Sequence, residues 1–458
     1  MNSVGSIRTT VRVSLLLCAT LLLATSFIAC GNNSADTTAT AWEIPALKER
    51  AAGLDAGDGA MIERRADAMT ALLLTDPNDV DALVGLAQIF MYEARVTGDH
   101  PYYYTAASSL LDRALTLRPD SYDAVLSKAS VLLSLHHFAE ARTVAERAVA
   151  LAPERAAGYG ALIDAEVELG NYAAAVTAAD RMMVIRPDLK SYSRVSYLRE
   201  IHGDGEGAIA AMRLAVGAGA PGSEERAWAR TTLATLYLNE GDLDRADDEY
   251  AIAATERADY PFALAGRARI AAQRGDDDGA LALLDRAIAL VPEFSFVETQ
   301  AAIHRASGND AAADSLLVVI EQMLAEDEAS GHAMDRELAM IYADHGVKLD
   351  EALRRATTEL AKRPHNIDAL DAMAYVLLRS GRADEAKGYS DRAMRTGARN
   401  AAMIARAGMI ERALGRSAEA EELLRRAREI TPYLPTLMRM RMRIEEEGTG
   451  PIAARSDR

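Results

Sequence analysis

The sequence predicts an all-α fold, a right-handed superhelical solenoid of stacked helix-turn-helix repeats. One observation behind this prediction is a glycine that recurs every 33 to 38 residues between segments with the helical spacing of apolar residues. The other is composition, because 50% of the residues are hydrophobic but only 5% are aromatic. An interior built mainly from Ala, Leu, Val and Met favours closely packed helices. The recurring glycines are Gly170, Gly203, Gly241, Gly275, Gly308, Gly346, Gly381 and Gly415.

Prolines repeat with a matching period. Pro119, Pro153 and Pro187 are each 34 residues apart. A fixed period of this length indicates a repeat array in which each unit is a helical hairpin. One such hairpin cannot bury its apolar face alone, so neighbouring units must stack. Three more prolines hold the same position relative to the nearest glycine, namely Pro292, Pro364 and Pro432.

Small residues recur inside each unit, where two helices must cross closely. Ala107, Leu111, Ala114 and Pro119 follow the spacing A-x3-F-x2-A-x4-P, with Leu in the aromatic position. This pattern resembles that of the tetratricopeptide-repeat family. The resemblance implies a concave groove lined by the first helix of every unit. The same spacing occurs in Ala141, Ala145, Ala148 and Pro153, in Ala280, Leu284, Ala287 and Pro292, and in Ala420, Leu424, Ala427 and Pro432.

Helix boundaries can be predicted from local signals. In the last unit, a first helix should run from Ala401 to Leu414 and end at Gly415, as a C-terminal glycine favours. A second helix should run from Ser417 to Ile430, because Pro432 prevents its continuation. In four other units a polar residue follows the turn glycine and is expected to cap the second helix. These residues are Asn171, Asp242, Asp276 and Asn309.

The repeats account for almost all of the chain. We expect about ten units over residues 80–433, preceded by a partial repeat over 43–79. A solubilising capping helix over 434–446 and a disordered tail over 447–458 should follow. Extra residues between Thr97 and Tyr104 should lengthen the connection in the first full unit. Longer connections are also expected near Pro221-Gly222 and Ser330-Gly331.

The amino terminus has the features of an export signal. Residues 1–29 contain a basic segment and the apolar run Val13 to Ile28, which predict a signal peptide. Phe27-Ile28-Ala29-Cys30 then resembles a bacterial lipobox, and the resemblance implies a lipidated Cys30. Residues 30–42 would form the anchor and a flexible tether. Phe27 departs from the usual Leu, which leaves cleavage by the ordinary signal peptidase open, while Gly31 favours the outer membrane over the inner one.

Charge and cysteine content exclude several kinds of partner and site. The formal net charge is −17, which disfavours binding to nucleic acid. Both cysteines, Cys18 and Cys30, precede the repeats, so the repeats contain no disulfide and no thiolate metal site.

Three patterns suggest chemistry but are better explained by the repeat. Gly203 to Ala208 matches GxGxxA, although the preceding segment is helical rather than a strand. Asp276-Asp277-Asp278-Gly279 lacks the alternating acids of a calcium loop and is expected to cap a helix. The eight histidines are scattered without metal-binding spacing. We therefore expect no catalytic residues, no metal, no cofactor and no enzyme activity.

Function should then depend on the concave groove. The resemblance implies a lipid-anchored scaffold that binds protein or peptide segments at the bacterial cell envelope. An alternative is a glycan-binding outer-membrane lipoprotein, for which Tyr102, Tyr103 and Tyr104 offer the best aromatic platform. The side chains expected in the groove are Arg194, Tyr197, Thr235, Arg269, Asp371, Tyr375 and Arg406.

Overall fold

The computed structural model describes residues 43–446, apart from residues 52, 55 and 56. The predicted signal peptide, Cys30 with its tether and the tail from residue 447 onward lie outside the described residues. Within the described ranges the secondary structure is helical, with no strand. The predicted all-α solenoid of stacked helix pairs is therefore confirmed. No helix in these ranges has both the length and the apolar character that crossing a bilayer requires.

Ten helical pairs follow one another after a single helix, α1 (Gly59–Thr75). The pairs are α2 (Val80–Thr97) with α3 (His100–Leu117), α4 (Tyr122–Ser134) with α5 (Phe138–Leu151), α6 (Ala156–Glu168) with α7 (Tyr172–Ile185), α8 (Leu189–Ile201) with α9 (Gly205–Ala218), and α10 (Glu224–Asn239) with α11 (Leu243–Glu256). They continue as α12 (Pro261–Gln273) with α13 (Asp277–Leu290), α14 (Phe294–Ala306) with α15 (Asp310–Ala329), α16 (Asp335–His345) with α17 (Leu349–Lys362), α18 (Ile367–Arg379) with α19 (Ala383–Ala393), and α20 (Ala401–Ala413) with α21 (Ser417–Ile430). A final helix, α22 (Thr436–Glu446), completes the described chain.

Small side chains allow the two helices of each pair to approach closely. Ala141, Ala145 and Ala148 of α5 are completely buried. In the last pair, a Cβ atom added to Gly408 would lie 2.8 Å from Leu424 Cγ, which is closer than normal packing allows. Any larger residue at these crossings would push the two helices apart.

Arginines connect some pairs to the pair before them. Arg147 donates a hydrogen bond to the carbonyl oxygen of Pro119 at 2.5 Å, and Arg392 donates to that of Pro364 at 2.7 Å. These carbonyl groups lie just past the ends of preceding helices, where backbone acceptors have no intrahelical partner. These two arginines therefore satisfy helix ends in the neighbouring repeat.

The superhelix curves until its second turn touches its first. Loops that are about 195 residues apart in sequence meet along a line of contacts that we call the inter-turn seam, and this spacing corresponds to between five and six repeats per turn. The seam joins residues 135–137, 170–172 and 202–203 of the first turn to residues 331–333, 365–367 and 397–399 of the second. At its ends, the backbone amide of Ala333 donates to the carbonyl of Leu135 at 3.1 Å, and Gly203 packs on Gly397.

The middle of the seam contains both polar and apolar contacts. The amide of Ile367 donates to the hydroxyl of Tyr172 at 3.0 Å. Arg363 pairs with Glu168 at 2.5 Å. An apolar cluster that includes Ile163, Leu198, Ile367 and Leu370 continues across the seam. The two turns are thus held together by burial as well as by hydrogen bonds.

Three segments differ from the sequence expectation. The extra residues of the first full unit lengthen both helices to 18 residues each, so the connection between α2 and α3 is short. The extra residues before Ser330 extend α15 to 20 residues. Helix α22 follows the last pair as expected, but Leu437, Met438, Arg441 and Met442 are buried, and the helix contacts α14 and α16. Its apolar residues pack on the concave side of the solenoid instead of facing solvent.

Candidate functional site

The concave faces of the repeats enclose a cavity of about 380 Å³. Its walls come mainly from the first helices of seven consecutive pairs, which are α8, α10, α12, α14, α16, α18 and α20. Because the seam brings the two superhelical turns together, the groove is lined from several sides. The segment Tyr433 to Leu437, which leads into α22, forms the remaining wall.

Acidic groups dominate the lining of the cavity. The lining contains two basic side chains, Arg269 and Arg399. Arg399 forms an ion pair with Glu240 at 3.2 Å. The carboxyl groups of the wall are those of Glu200, Glu240, Glu298, Asp344 and Asp368. Such a set of carboxylates favours a cationic ligand.

Glu298 has a strongly perturbed environment in this wall. Burial, and then the charge of the nearby Asp344, raise the pKa of Glu298 to about 7. The enclosed imidazole of His345 lies 4.0 Å from the Glu298 carboxylate. Burial, and then the charges of Arg305 and Arg441, lower the pKa of His345 to about 4. At neutral pH this pair therefore consists of a neutral imidazole and a partly protonated carboxyl group.

Two of the residues predicted from the sequence line the cavity. Tyr197 of α8 is 40% exposed and forms part of the wall. Burial of its hydroxyl, and then the charge of Asp368, raise the pKa of Tyr197 well above its ordinary value. Arg269 of α12 lies across the cavity wall, where its charge opposes the pKa rise of Glu298.

Three other predicted residues form a buried network at the edge of the cavity. Arg406 Nε donates to Asp371 Oδ1 at 3.1 Å, and its Nη2 pairs with the other carboxylate oxygen. Tyr375 Oη donates to Asp344 Oδ1 at 2.9 Å. Burial alone would lower the pKa of Arg406, but the charge of Asp371 raises it. Asp371, Tyr375 and Arg406 are thus already engaged with one another or with the wall.

The remaining two predicted residues make contacts within the repeats. Arg194 Nε donates to Asp164 Oδ1 at 2.8 Å and to the Gly160 carbonyl at 3.1 Å, which joins α8 to α6. The Thr235 hydroxyl lies 2.8 Å from the Tyr250 hydroxyl, which joins α10 to α11. Neither Arg194 nor Thr235 is among the residues that line the cavity.

The sequence interpretation missed the contribution of the C-terminal segment. Arg441 is only 7% exposed and donates through Nη1 to Tyr375 Oη. The same guanidinium lies 3.7 Å from the Asp344 carboxylate. Gln273 donates to the carbonyl of Leu434 at 3.2 Å. Methionines alternating with arginines from Met438 onward were the available signal, but the hydrogen-bond partners of Arg441 lie 66 and 98 residues away in the sequence.

The motifs set aside from the sequence have structural roles. Asp204, within the GxGxxA match, caps α9 by accepting a hydrogen bond from the Gly207 amide at 2.9 Å. Asp276 caps α13 in the same way, through the Gly279 amide at 2.9 Å. Neither segment has the geometry of a nucleotide or calcium loop.

The three consecutive tyrosines do not form an exposed platform. Tyr103 and Tyr104 are buried, at 1% and 6% exposure. The hydroxyl of Tyr102 donates to the carbonyl of Ala46 at 2.6 Å, and Lys48 lies 3.9 Å from its ring centre. This packing leaves little ring surface for stacking on a sugar.

Comparison with known proteins identifies the repeats. A tetratricopeptide-repeat family model matches residues 126–189, 231–293 and 372–435. No curated protein matches the chain.

Three of the solved structures with partial similarity illustrate the range of these matches. TTC0263 from Thermus thermophilus, described as a thermophilic TPR protein, is 26% identical, with 39% of this chain and 91% of that one covered and a TM-score of 0.34. YrrB, described as a TPR protein with an unusual peptide-binding site, is 18% identical, with coverage of 41% and 94% and a TM-score of 0.28. The human IFIT1 dimer with PPP-AAAA is 12% identical, with coverage of 74% and 78% and a TM-score of 0.46.

Each of the three blocks matched by the family model contains one unit with the spacing of small residues and proline seen in the sequence, namely residues 141–153, 280–292 and 420–432. The chain therefore contains tetratricopeptide repeats, arranged as a helical solenoid.

Proposed function

We propose that this protein is a lipid-anchored tetratricopeptide-repeat scaffold of the bacterial cell envelope and not an enzyme. In this proposal it binds a cationic, helical segment of another protein on the concave face beside the cavity, where α22 lies in this structure. The observation that carries the proposal is the position of Arg441, buried between Tyr375 and Asp344 on the concave side. Helix α22 thus occupies the place where a partner helix would bind.

The chemistry of α22 describes the expected partner. Leu437 and Arg441 are four residues apart, as are Met438 and Met442, so these side chains lie on one helical face. All four are buried. A partner with the same pattern would place methionine or leucine on the repeats and arginine at the acidic wall, which is the helix-in-groove mode of recognition.

The membrane anchor rests on the sequence alone. Cys30 follows a signal-like apolar run, and residues 31–42 supply a tether between it and the repeats. Each buried methylene of an acyl chain contributes about 0.8 kcal/mol, so several chains on one cysteine give stable anchoring. We propose that the outer membrane is the site of attachment.

The binding proposal can be tested with the full chain and a fluorescent peptide covering residues 434–446. In the wild type, α22 competes with the peptide for the concave face at a high effective concentration. The variant Arg441→Glu should release α22, and its affinity for the wild-type peptide should rise at least about tenfold. The same substitution in the peptide should abolish binding.

Arg426→Glu provides a matched control, because Arg426 is exposed and the substitution changes the net charge equally. This control should bind the peptide as weakly as the wild type. Equal affinities for all three chains, or equal binding of the wild-type and Arg441→Glu peptides, would remove the support for a helix-binding cavity. Circular dichroism should accompany the titrations to show that each variant is folded.

The anchor can be tested separately by metabolic labelling with an alkyne-bearing fatty acid in a bacterial host. The wild type and Cys18→Ser should incorporate the label and sediment with membranes. Cys30→Ser should do neither. Label that persists in Cys30→Ser, or that is absent from the wild type, would contradict lipidation at Cys30.

A further inference from the structure

Two histidines and an aspartate meet at one end of the inter-turn seam. The ligand atoms of His100, Asp327 and His332 all lie within 4.8 Å of one another. His100 is the first residue of α3, Asp327 is in the last turn of α15, and His332 lies in the connection that follows. More than 220 residues separate His100 from the other two, which is why sequence spacing gave no sign of this group.

The two departures from the regular repeat length create this meeting point. Helices α2 and α3 have 18 residues each and α15 has 20, whereas most other helices have 13 or 14. The additional turns bring the start of α3 against the end of α15, and these helices contact each other. The longer helices therefore serve a contact that regular repeats would not make.

The surroundings hold the two imidazoles in fixed orientations. The ring centres of His100 and His332 are 5.8 Å apart, and Tyr104 lies 5.6 Å from each of them. The Ser330 hydroxyl lies 3.2 Å from His332 Nδ1, which leaves Nε2 available for another ligand. A hydrogen bond to one ring nitrogen commonly sets the tautomer of a metal-binding histidine.

We propose that His100, Asp327 and His332 bind a divalent transition-metal ion, with zinc as the best match. Two imidazole nitrogens and one carboxylate oxygen are common zinc ligands, and water would complete a tetrahedral site. In such a site neighbouring ligand atoms are about 3.4 Å apart. The ligand atoms of the three residues now lie within 4.8 Å of one another, so small side-chain rotations would bring them to that distance.

Binding at this site would join the two superhelical turns. The metal would bridge α3 of the first turn to the end of α15 in the second, and its binding energy would stabilise the seam. The site would thereby keep the cavity closed. The alternative is that the cluster is only a packed aromatic contact with one carboxylate beside it.

The test measures zinc binding by isothermal titration calorimetry on the full chain after EDTA treatment. Cys18 and Cys30 are replaced by serine in every sample so that thiolates do not compete. The parent chain should bind one zinc ion. Asp327→Asn keeps the size of the side chain but removes a ligand charge, and it should weaken binding at least about tenfold. His332→Ala should weaken it further.

His365→Ala is the matched control, because His365 is exposed and lies outside the cluster. It should bind zinc as the parent does. Addition of cobalt should give visible absorption typical of tetrahedral coordination in the parent and in His365→Ala, but not in Asp327→Asn. Absence of saturable binding in the parent, or unchanged affinity in both Asp327→Asn and His332→Ala, would overturn the proposal.

Hydrogen exchange can show whether zinc bridges α3 and the end of α15 or binds at another place in the protein. Zinc should slow amide exchange in residues 325–335 of the parent and of His365→Ala, but not of Asp327→Asn. Zinc binding without this protection would contradict the bridging role.

Discussion

The inter-turn seam can be tested by adding a single methyl group at Gly170. This glycine has a φ of +78°, in the left-handed region, and a Cβ atom at this position would lie 2.1 Å from the His365 carbonyl oxygen. Because that oxygen belongs to backbone of the second turn, the clash cannot be relieved by rotating a side chain. The two turns must separate if Gly170→Ala is to fold.

Gly308→Ala gives the reference value for this experiment. Gly308 has a φ of +79°, and nothing lies within 4 Å of the position of its Cβ atom. Both alanine variants therefore incur the same left-handed cost of about 1–2 kcal/mol. Separation at Gly170 additionally strains packing and the hydrogen bond from Ile367 to Tyr172, so Gly170→Ala should lose about 2–4 kcal/mol more than Gly308→Ala.

Repeat arrays can unfold in parts, so the assay should report local as well as global stability. We would combine urea denaturation with hydrogen exchange and mass spectrometry. Gly170→Ala should accelerate amide exchange at residues 365–368, almost 200 positions away, whereas Gly308→Ala should leave those amides unchanged. Equal stabilities of the two variants, with normal exchange at residues 365–368 in both, would refute the seam.

Two further predictions concern helix packing and the cavity. Gly408→Leu should lower the free energy of unfolding by about 1–3 kcal/mol, because the new side chain meets Leu424. Gly388 lies in open space on an exposed helical surface, so Gly388→Leu should leave the free energy of unfolding unchanged or raise it in the same urea assay. The pKa of Glu298, about 7, lies above its ordinary value, so the stability due to this group is present below about pH 4.5 and is lost as the pH rises through about 7. Glu298→Gln should therefore be more stable than the wild type by about 1–3 kcal/mol at pH 8, with a difference of less than about 0.5 kcal/mol at pH 4.5. A constant difference at both pH values would contradict the assigned ionisation, and a Gly388→Leu variant as unstable as Gly408→Leu would contradict the packing assignment.

Local signals were sufficient to predict the second helix of the last unit, but not the added length of α2, α3 and α15. The second helix of the last unit begins at Ser417 and ends at Ile430 in the structure, as the glycine and proline signals predict. Asp276 caps α13 for the same local reason. These features depend on residues within one or two helical turns, which a single sequence displays directly.

The closure of the superhelix could not be predicted in this way. It depends on the small rotation between successive repeats, summed over between five and six of them, and no local pattern contains that sum. The buried position of Arg441 and the meeting of His100 with His332 both follow from closure. The groove formed by the first helices was therefore predictable from the sequence, whereas the contact of α22 with α14 and α16 was not.

Some contacts of the predicted groove residues were within reach of the sequence. Asp371 and Arg406 are 35 residues apart, and Asp164 and Arg194 are 30 apart. Both separations are close to one repeat, so the members of each pair lie on neighbouring first helices. Opposite charges at that spacing indicate ion pairs between repeats rather than free ligand-binding groups.

The central claim is that the second superhelical turn contacts the first, and disulfide trapping tests it most directly. The amide of Ala333 and the carbonyl of Leu135 are 3.1 Å apart, so the two residues are in direct backbone contact across the seam. In a chain with Cys18 and Cys30 replaced by serine, Leu135→Cys with Ala333→Cys should form a disulfide under mild oxidation and migrate faster on a non-reducing gel. Leu135→Cys with Gly415→Cys, more than two repeats farther along, should remain reduced. Two free thiols in the folded Leu135→Cys, Ala333→Cys chain would contradict the closed superhelix.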